Sequence, residues 1–299
     1  MSVRVKRSNL HIVGVYLQVH PKMRAGLKTR PYRLLRRSAP RKDNVQGVIL
    51  SREFIQEGYQ MARADGRAND EMRPIKIILG YQDYPEGSAL IEIGNTRVIC
   101  AVSVEERVPP FLKGQGTGWV TAEYAMLPRA THTRTPRNPD RQQGRSQEIQ
   151  RLIGRSLRSA VDMDALGERT FAVDCDVLQA DGGTRTASIT GAYVALFVAI
   201  ARLRKQGIYK VMPVKCAVAA TSVGVVDRVK LLDLCYDEDF RAGVDFNVVM
   251  TDKGEFVELQ GTAEGKPFSK DTIDALISLA DKGIKQLFEE QKKALETLR

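Results

Sequence analysis

From Arg73 onward the chain alternates between a two-residue and a 3.6-residue apolar rhythm. PIKIILG reads as a strand. ALIEIGNTRVICAVSV reads as two strands joined at Gly94-Asn95, a two-residue turn with glycine first, and GWVTAEYAML as another strand. A polar loop runs from Pro128 to Arg145. Ser146 then reads as the cap of a helix whose Ile149, Leu152, Ile153 and Leu157 share one face. RTFAVDCDVLQAD is a strand leading into a strongly apolar helix that opens at Thr184. KLLDLCY and VDFNVVM read as strands flanking an acidic turn, DEDFRAG, and Gly254 marks a hairpin between VVM and EFVELQG. A last helix begins at Ser269, with Phe268 and Ile273 at the spacing of a hydrophobic staple. Its apolar face is Ile273, Leu276, Ile277, Ala280, Ile284 and Leu287. The pattern predicts an α+β fold, a single domain with mixed or antiparallel sheets packed against helices.

Charge divides the chain differently. Of its 46 Lys and Arg residues, 12 lie in residues 1–42, which hold no Asp or Glu; the rest of the chain is slightly acidic. The net charge of +10 therefore belongs to an N-terminal extension, residues 1–60. Three readings of it stand side by side: a disordered RNA-binding arm, an arginine-rich targeting peptide, or upstream sequence with Met61 as the natural start. Residues 61–299 form the expected globular domain. No apolar run approaches the roughly 20 residues that cross a bilayer, so no membrane partner is expected. The four cysteines, Cys100, Cys175, Cys216 and Cys235, sit singly in apolar runs and read as buried thiols in a reducing, cytoplasmic setting.

Four stretches can carry chemistry. The first is DGGTRT, a turn between a strand and a helix. Its glycines let the backbone turn tightly and leave room for a ligand, the helix start attracts anions, Thr184 and Thr186 offer hydroxyls, and Arg185 offers a planar fork suited to phosphate. A capped glycine turn with an exposed arginine remains the plain alternative. The second is Arg145, directly before Ser146, where a side chain and a helix terminus can face one anion together. The third is the acidic hairpin, in which FRAG turns the chain and can bring Asp239 and Asp245 together to hold a divalent cation or supply a general acid. Asp237 and Glu238 read as solvated turn residues. The fourth is MLPRATHTRTPRNPDRQQGR, where Arg129, Arg134, Arg137 and Arg141 recur among polar residues and can track a nucleic-acid backbone without reading its sequence. It contains no aromatic to stack a base. Outside the extension His132 is the sole histidine, which leaves no histidine pair for hydrolysis or zinc.

Long motifs then carry a resemblance. ADGRANDEMRPI, PEGSALIEIGNTRVICAVSVEERVPPFLKGQGTGWVTAEYAMLPRAT, GRSQEIQRLIGRSLRSAVD, DCDVLQADGGTRTASITGAY and VELQGTAEGKPFS resemble the ribonuclease PH family, from about Ala62 to Leu295. The resemblance implies the RNase PH-type fold, assembled as a homohexamer, a trimer of dimers. It implies a phosphorolytic 3′-to-5′ exoribonuclease that trims 3′ ends of tRNA precursors and acts on other RNA. Inorganic phosphate would be the nucleophile, a nucleoside diphosphate the product, and Mg²⁺ the metal. Arg145 and Gly183, Thr184 and Arg185 would bind phosphate. Asp239 and Asp245 would form the catalytic acid or magnesium site. Arg129, Arg134 and Arg137 would grip the RNA, and Arg141 matches only weakly. A non-catalytic RNA-binding ring subunit of the same fold is the alternative.

Overall fold

Two sheets account for the strand rhythm. The computed structural model describes residues 63–136 and 139–298, with the backbone alone for residues 139–143. The expectations for the extension, Met61, Arg137 and the Arg141 side chain fall outside what is described. Contacts divide the chain into Met1–Gly58 and Tyr59–Arg299, and every described residue belongs to the second unit.

The first sheet contains β1 (Ile75–Leu79), β2 (Gly87–Ile93), β3 (Thr96–Glu105), β4 (Trp119–Met126) and β5 (Thr170–Gln179), in the order β1-β2-β3-β5-β4. Its pairs are antiparallel except β4 and β5, which run parallel. Parallel neighbours need a crossover, and α1 (Pro139–Ala160) supplies it, followed by the single turn α2 (Met163–Leu166). The second sheet is antiparallel, in the order β7-β6-β8-β9, from β6 (Val218–Val226), β7 (Val229–Leu232), β8 (Val244–Thr251) and β9 (Phe256–Ala263). The mixed and antiparallel sheets of the expected α+β class are both present.

Helix α3 (Thr184–Lys205) packs against β2 and β3 of the first sheet and β6 of the second. Its buried residues lie all around the helix, so it is the core's centre and not an amphipathic cover. By length and composition it reaches what a membrane span requires, contrary to the expectation from the sequence, but 78% of its most apolar window is buried inside the protein. Helix α5 (Lys270–Glu296) covers β6 and β1; Ser269 caps it, its side chain accepting from Thr272 N at 3.3 Å.

Two elements depart from expectation. α1 starts at Pro139, well before Ser146. Proline suits the first helical position, and Asp140, Arg141, Gln142 and Gln143 continue it without any apolar residue to reveal the periodicity. The acidic turn is α4 (Tyr236–Arg241), a short helix, and the strand before it ends at Leu232 because Asp233 takes a left-handed φ of 53°. Cys235 therefore precedes a helix and is half-buried, while Cys100, Cys175 and Cys216 are buried; all four are free.

Candidate active site

The end of β5 delivers Asp181, Gly182 and Gly183 to the start of α3. Gly182 and Gly183 have φ of 74° and 65°, the left-handed region that glycine enters without a Cβ penalty. The sequence suggested that such glycines leave room for a ligand. At Gly182 the room is taken by the protein itself: an added Cβ would meet Leu234 O, Cys235 C at 2.6 Å and Tyr236 N at 2.8 Å. The turn is pressed against the chain entering α4.

A buried arginine locks this seam. Arg73 places two guanidinium nitrogens on the Asp233 carboxylate, Nη2 at 2.7 Å and Nε at 2.8 Å, and its backbone N donates there too at 2.8 Å. The same guanidinium donates to the carbonyls of Asp181 and Gly182. Arg67 adds a contact of 3.3 Å to Asp233. Arg63 meets Glu238 with two bonds of 2.6 and 2.7 Å and donates to the carbonyls of Leu232 and Asp233. Burial pushes Asp233 and Glu238 up, but the bonds and charge of Arg73 on the first, and of Arg63 on the second, outweigh it and hold both below their ordinary values. Glu238 is therefore a buried anchor of α4, not the solvated turn residue its neighbours suggested; Asp237 is exposed. No sequence signal pairs it with Arg63, 175 residues away.

With α4 held against the glycine turn, a cavity of about 450 Å³ opens between them, within the usual range of small-ligand sites. Among its lining residues are Arg145, Gly183, Thr184, Arg185, Asp239 and Asp245. Arg145 reaches it from the second turn of α1, so the expected pairing of this arginine with a helix terminus is incorrect; the side chain alone contributes. Among the described residues neither Arg145 nor Arg185 forms an ion pair. Arg185 donates instead to the neutral oxygen of Gln260 on β9 at 2.9 Å, and Gln260 donates to Glu148 on α1 at 2.5 Å. That chain orients Arg185 without placing a carboxylate in direct contact with it. The Thr184 hydroxyl lies 2.8 Å from the buried Tyr124 hydroxyl, a partner on β4 that sequence reading missed. The Thr186 hydroxyl, by contrast, donates back to Gly183 O at 2.9 Å and is buried.

The two carboxylates line the same cavity. Asp239 comes from α4 and Asp245 from β8, where Val244, Phe246 and Val248 are buried. Burial pushes the Asp239 carboxyl above its ordinary value, against the pull of Arg185 and Arg145. Burial raises Asp245 as well, with the Asp239 charge adding and Arg185 opposing. Arg185 thus acts on both carboxylates, Arg145 on Asp239, and the Asp239 charge on Asp245.

Arg129 and Arg134 are exposed on the loop after β4 and do not line the cavity, although Thr131 and Thr135 of that loop do. Arg129 donates to His132 O at 2.9 Å. A larger groove of about 1020 Å³, lined by Phe197, Met212, Lys285 and Phe288, lies between α3 and α5 and includes none of the residues above.

The described fold can be set beside known proteins. Residues 71–201 match the 3′ exoribonuclease family, domain 1, and residues 216–283 match domain 2 of the same family. Ribonuclease PH of Dehalococcoides mccartyi is 62% identical over 234 residues, 78% of this chain and 97% of the relative. Ribonuclease PH of Syntrophomonas wolfei is 58% identical over 237 residues, 79% of this chain and 99% of the relative. The Archaeoglobus fulgidus exosome with RNA bound to the active site has a chain of the same fold, with a TM-score of 0.67 at 24% identity, covering 77% of this chain and 92% of that one.

Proposed function

The chain belongs to the RNase PH family of 3′ exoribonucleases, and on that premise we propose that it trims the 3′ ends of tRNA precursors, and shortens other RNA, at the cavity bounded by Arg145, Arg185, Asp239 and Asp245. It is a phosphate-dependent 3′-to-5′ exoribonuclease. An oxygen of inorganic phosphate attacks the last phosphodiester, the bond from phosphorus to the 3′ oxygen breaks, and that oxygen takes up a proton. The products are a nucleoside diphosphate and an RNA one nucleotide shorter.

The observation that carries the site assignment is one cavity lined both by two arginines without an ion-pair partner among the described residues and by two carboxylates. Phosphate and phosphodiester repel one another, so a site that joins them needs concentrated positive charge placed beforehand. Arg145, Arg185, Thr184 and the backbone at Gly183 seat the phosphate. A carboxyl with a raised pKa retains a proton at higher pH than an ordinary one, which suits Asp239 or Asp245 to protonating the departing oxygen.

The donor set also suits Mg²⁺. Among the described residues no cluster of three or more carboxylate, His or Cys ligands exists, and magnesium is typically held by one or two carboxylates together with substrate phosphates. Asp239 and Asp245 would hold it, and it would add positive charge beside the reacting phosphates. Arg129, Arg134 and Arg137 guide the body of the RNA. The active assembly is a homohexamer, a trimer of dimers, and the free cysteines are in keeping with work in the cytoplasm.

The test is incubation with a 3′-extended tRNA, with and without phosphate, and chromatographic separation of the products. Nucleoside diphosphates released only with phosphate are expected. Monophosphates without a phosphate requirement mean hydrolysis, and no release at all favours the RNA-binding ring subunit.

A further inference from the structure

Helix α4 presents two aromatic rings at the cavity that neither phosphate seating nor acid chemistry uses. Tyr236 and Phe240 stand one helical turn apart, their ring centroids 6.3 Å apart and nearly parallel at 26°. Both line the cavity of Arg145, Arg185, Asp239 and Asp245, yet they are 50% and 80% exposed. A large apolar side chain so exposed, on a helix so firmly anchored, gains nothing from the fold; paired exposed apolar groups beside a polar site mark a binding surface.

Resting on the function proposed above, we infer that Phe240, backed by Tyr236, is a stacking platform for a base at the 3′ end of the RNA. Three observations support it. Asp239 lies between the two rings in sequence, so a base resting on Phe240 sits beside the acid that serves its own phosphodiester. The helix that carries the rings is anchored before RNA arrives: Arg63 grips Glu238, Cys235 N donates to Glu238 at 3.0 Å, and Tyr236 N donates to Asp181 at 3.3 Å. A helix anchored in advance needs no backbone ordering on binding. The same cavity carries Arg145 and Arg185, so charge for a phosphate and a π face for a base, the two parts of a nucleotide, line one site. Stacking of this kind accepts any base, because every base offers a π face, and that suits an enzyme removing successive nucleotides.

The test is phosphorolysis of an oligoadenylate by the full chain, by Phe240→Ala and by Phe240→Trp. The assay is repeated on an oligoadenylate whose two terminal nucleotides lack bases. Phe240→Ala should lower kcat/KM for the intact oligomer about ten-fold while the KM for phosphate at saturating RNA stays in place. Phe240→Trp should retain the wild-type value. Removing the bases should cost the wild type a similar factor and cost Phe240→Ala nothing further. An alanine variant equal to the wild type, or one that loses as much again on baseless RNA, overturns the platform and leaves the proposed function standing. Altered oligomer mass of Phe240→Ala in light scattering assigns the rings to a subunit contact and also overturns it. A wild-type chain that releases no nucleoside diphosphate sinks the proposed function, and this inference with it.

Discussion

Two groups of arginines meet at the same seam and do opposite work. Arg63, Arg67 and Arg73 are buried, and Glu238, Asp65 and Asp233 respectively pair with them at 2.6–2.7 Å. Arg145 and Arg185 line the cavity a few residues away in space from that clamp, and among the described residues no carboxylate pairs with either. A matched charge binds the fold together but has nothing left for a ligand; an unmatched one is poised for an anion. Partnership, not residue type or burial alone, separates scaffold from site.

The largest expected effect breaks the matched group. Arg73→Met leaves Asp233 buried with only the longer Arg67 contact and should destabilise the protein by about 3–5 kcal/mol in denaturant unfolding. Arg73→Met combined with Asp233→Leu should recover part of that loss. A single variant as stable as the wild type would remove the clamp from the explanation. The unmatched group should respond in activity instead. Arg185→Ala should lower kcat/KM for phosphate on the order of 100-fold, with its unfolding midpoint nearly unchanged; equal loss of RNA affinity in a binding assay would contradict a phosphate-seating role.

Acidity separates the two groups again. Asp233 and Glu238 are held below ordinary carboxylate values, so they contribute stability that is present above those values and lost as pH falls through the lowered ones. Asp239 and Asp245 are raised, so their contribution is full below the ordinary values and lost as pH rises through the raised ones. Metal binding needs them ionised. Lowering pH through the raised range should therefore increase the Mg²⁺ concentration needed for half-maximal activity by up to about ten-fold per pH unit; a requirement flat across that range would count against these ligands. The smallest effect is expected at the loop. Arg134→Ala should weaken tRNA binding only a few-fold and shallow the salt dependence of log K by about 1, measured by filter binding at several ionic strengths.

Much of this was legible in the residues, for identifiable reasons. β4, β5 and α5 bury regular faces, so periodicity exposes them, while α3 shows as one long apolar run. DGGTRT announces a tight turn at a helix start. What stayed hidden depends on partners remote in sequence or on elements without an apolar rhythm. The polar first turns of α1 moved Arg145 from a helix end to its interior, and six residues of α4 were too few to distinguish a helix from a turn. Glu238 looked solvated because its partner stands near the other end of the described chain. Tyr124 looked like one more strand residue until Thr184 arrived beside it.

The close approach at Gly182 has one more consequence. Because main chain rather than side chain fills the place of its missing Cβ, the gap between the glycine turn and the helix bearing Asp239 is gauged by backbone thickness. Such a ruler is indifferent to most mutations around it. Under the proposed function, lining residues can drift to suit new RNAs while the reach from attacking ion to departing oxygen keeps its length.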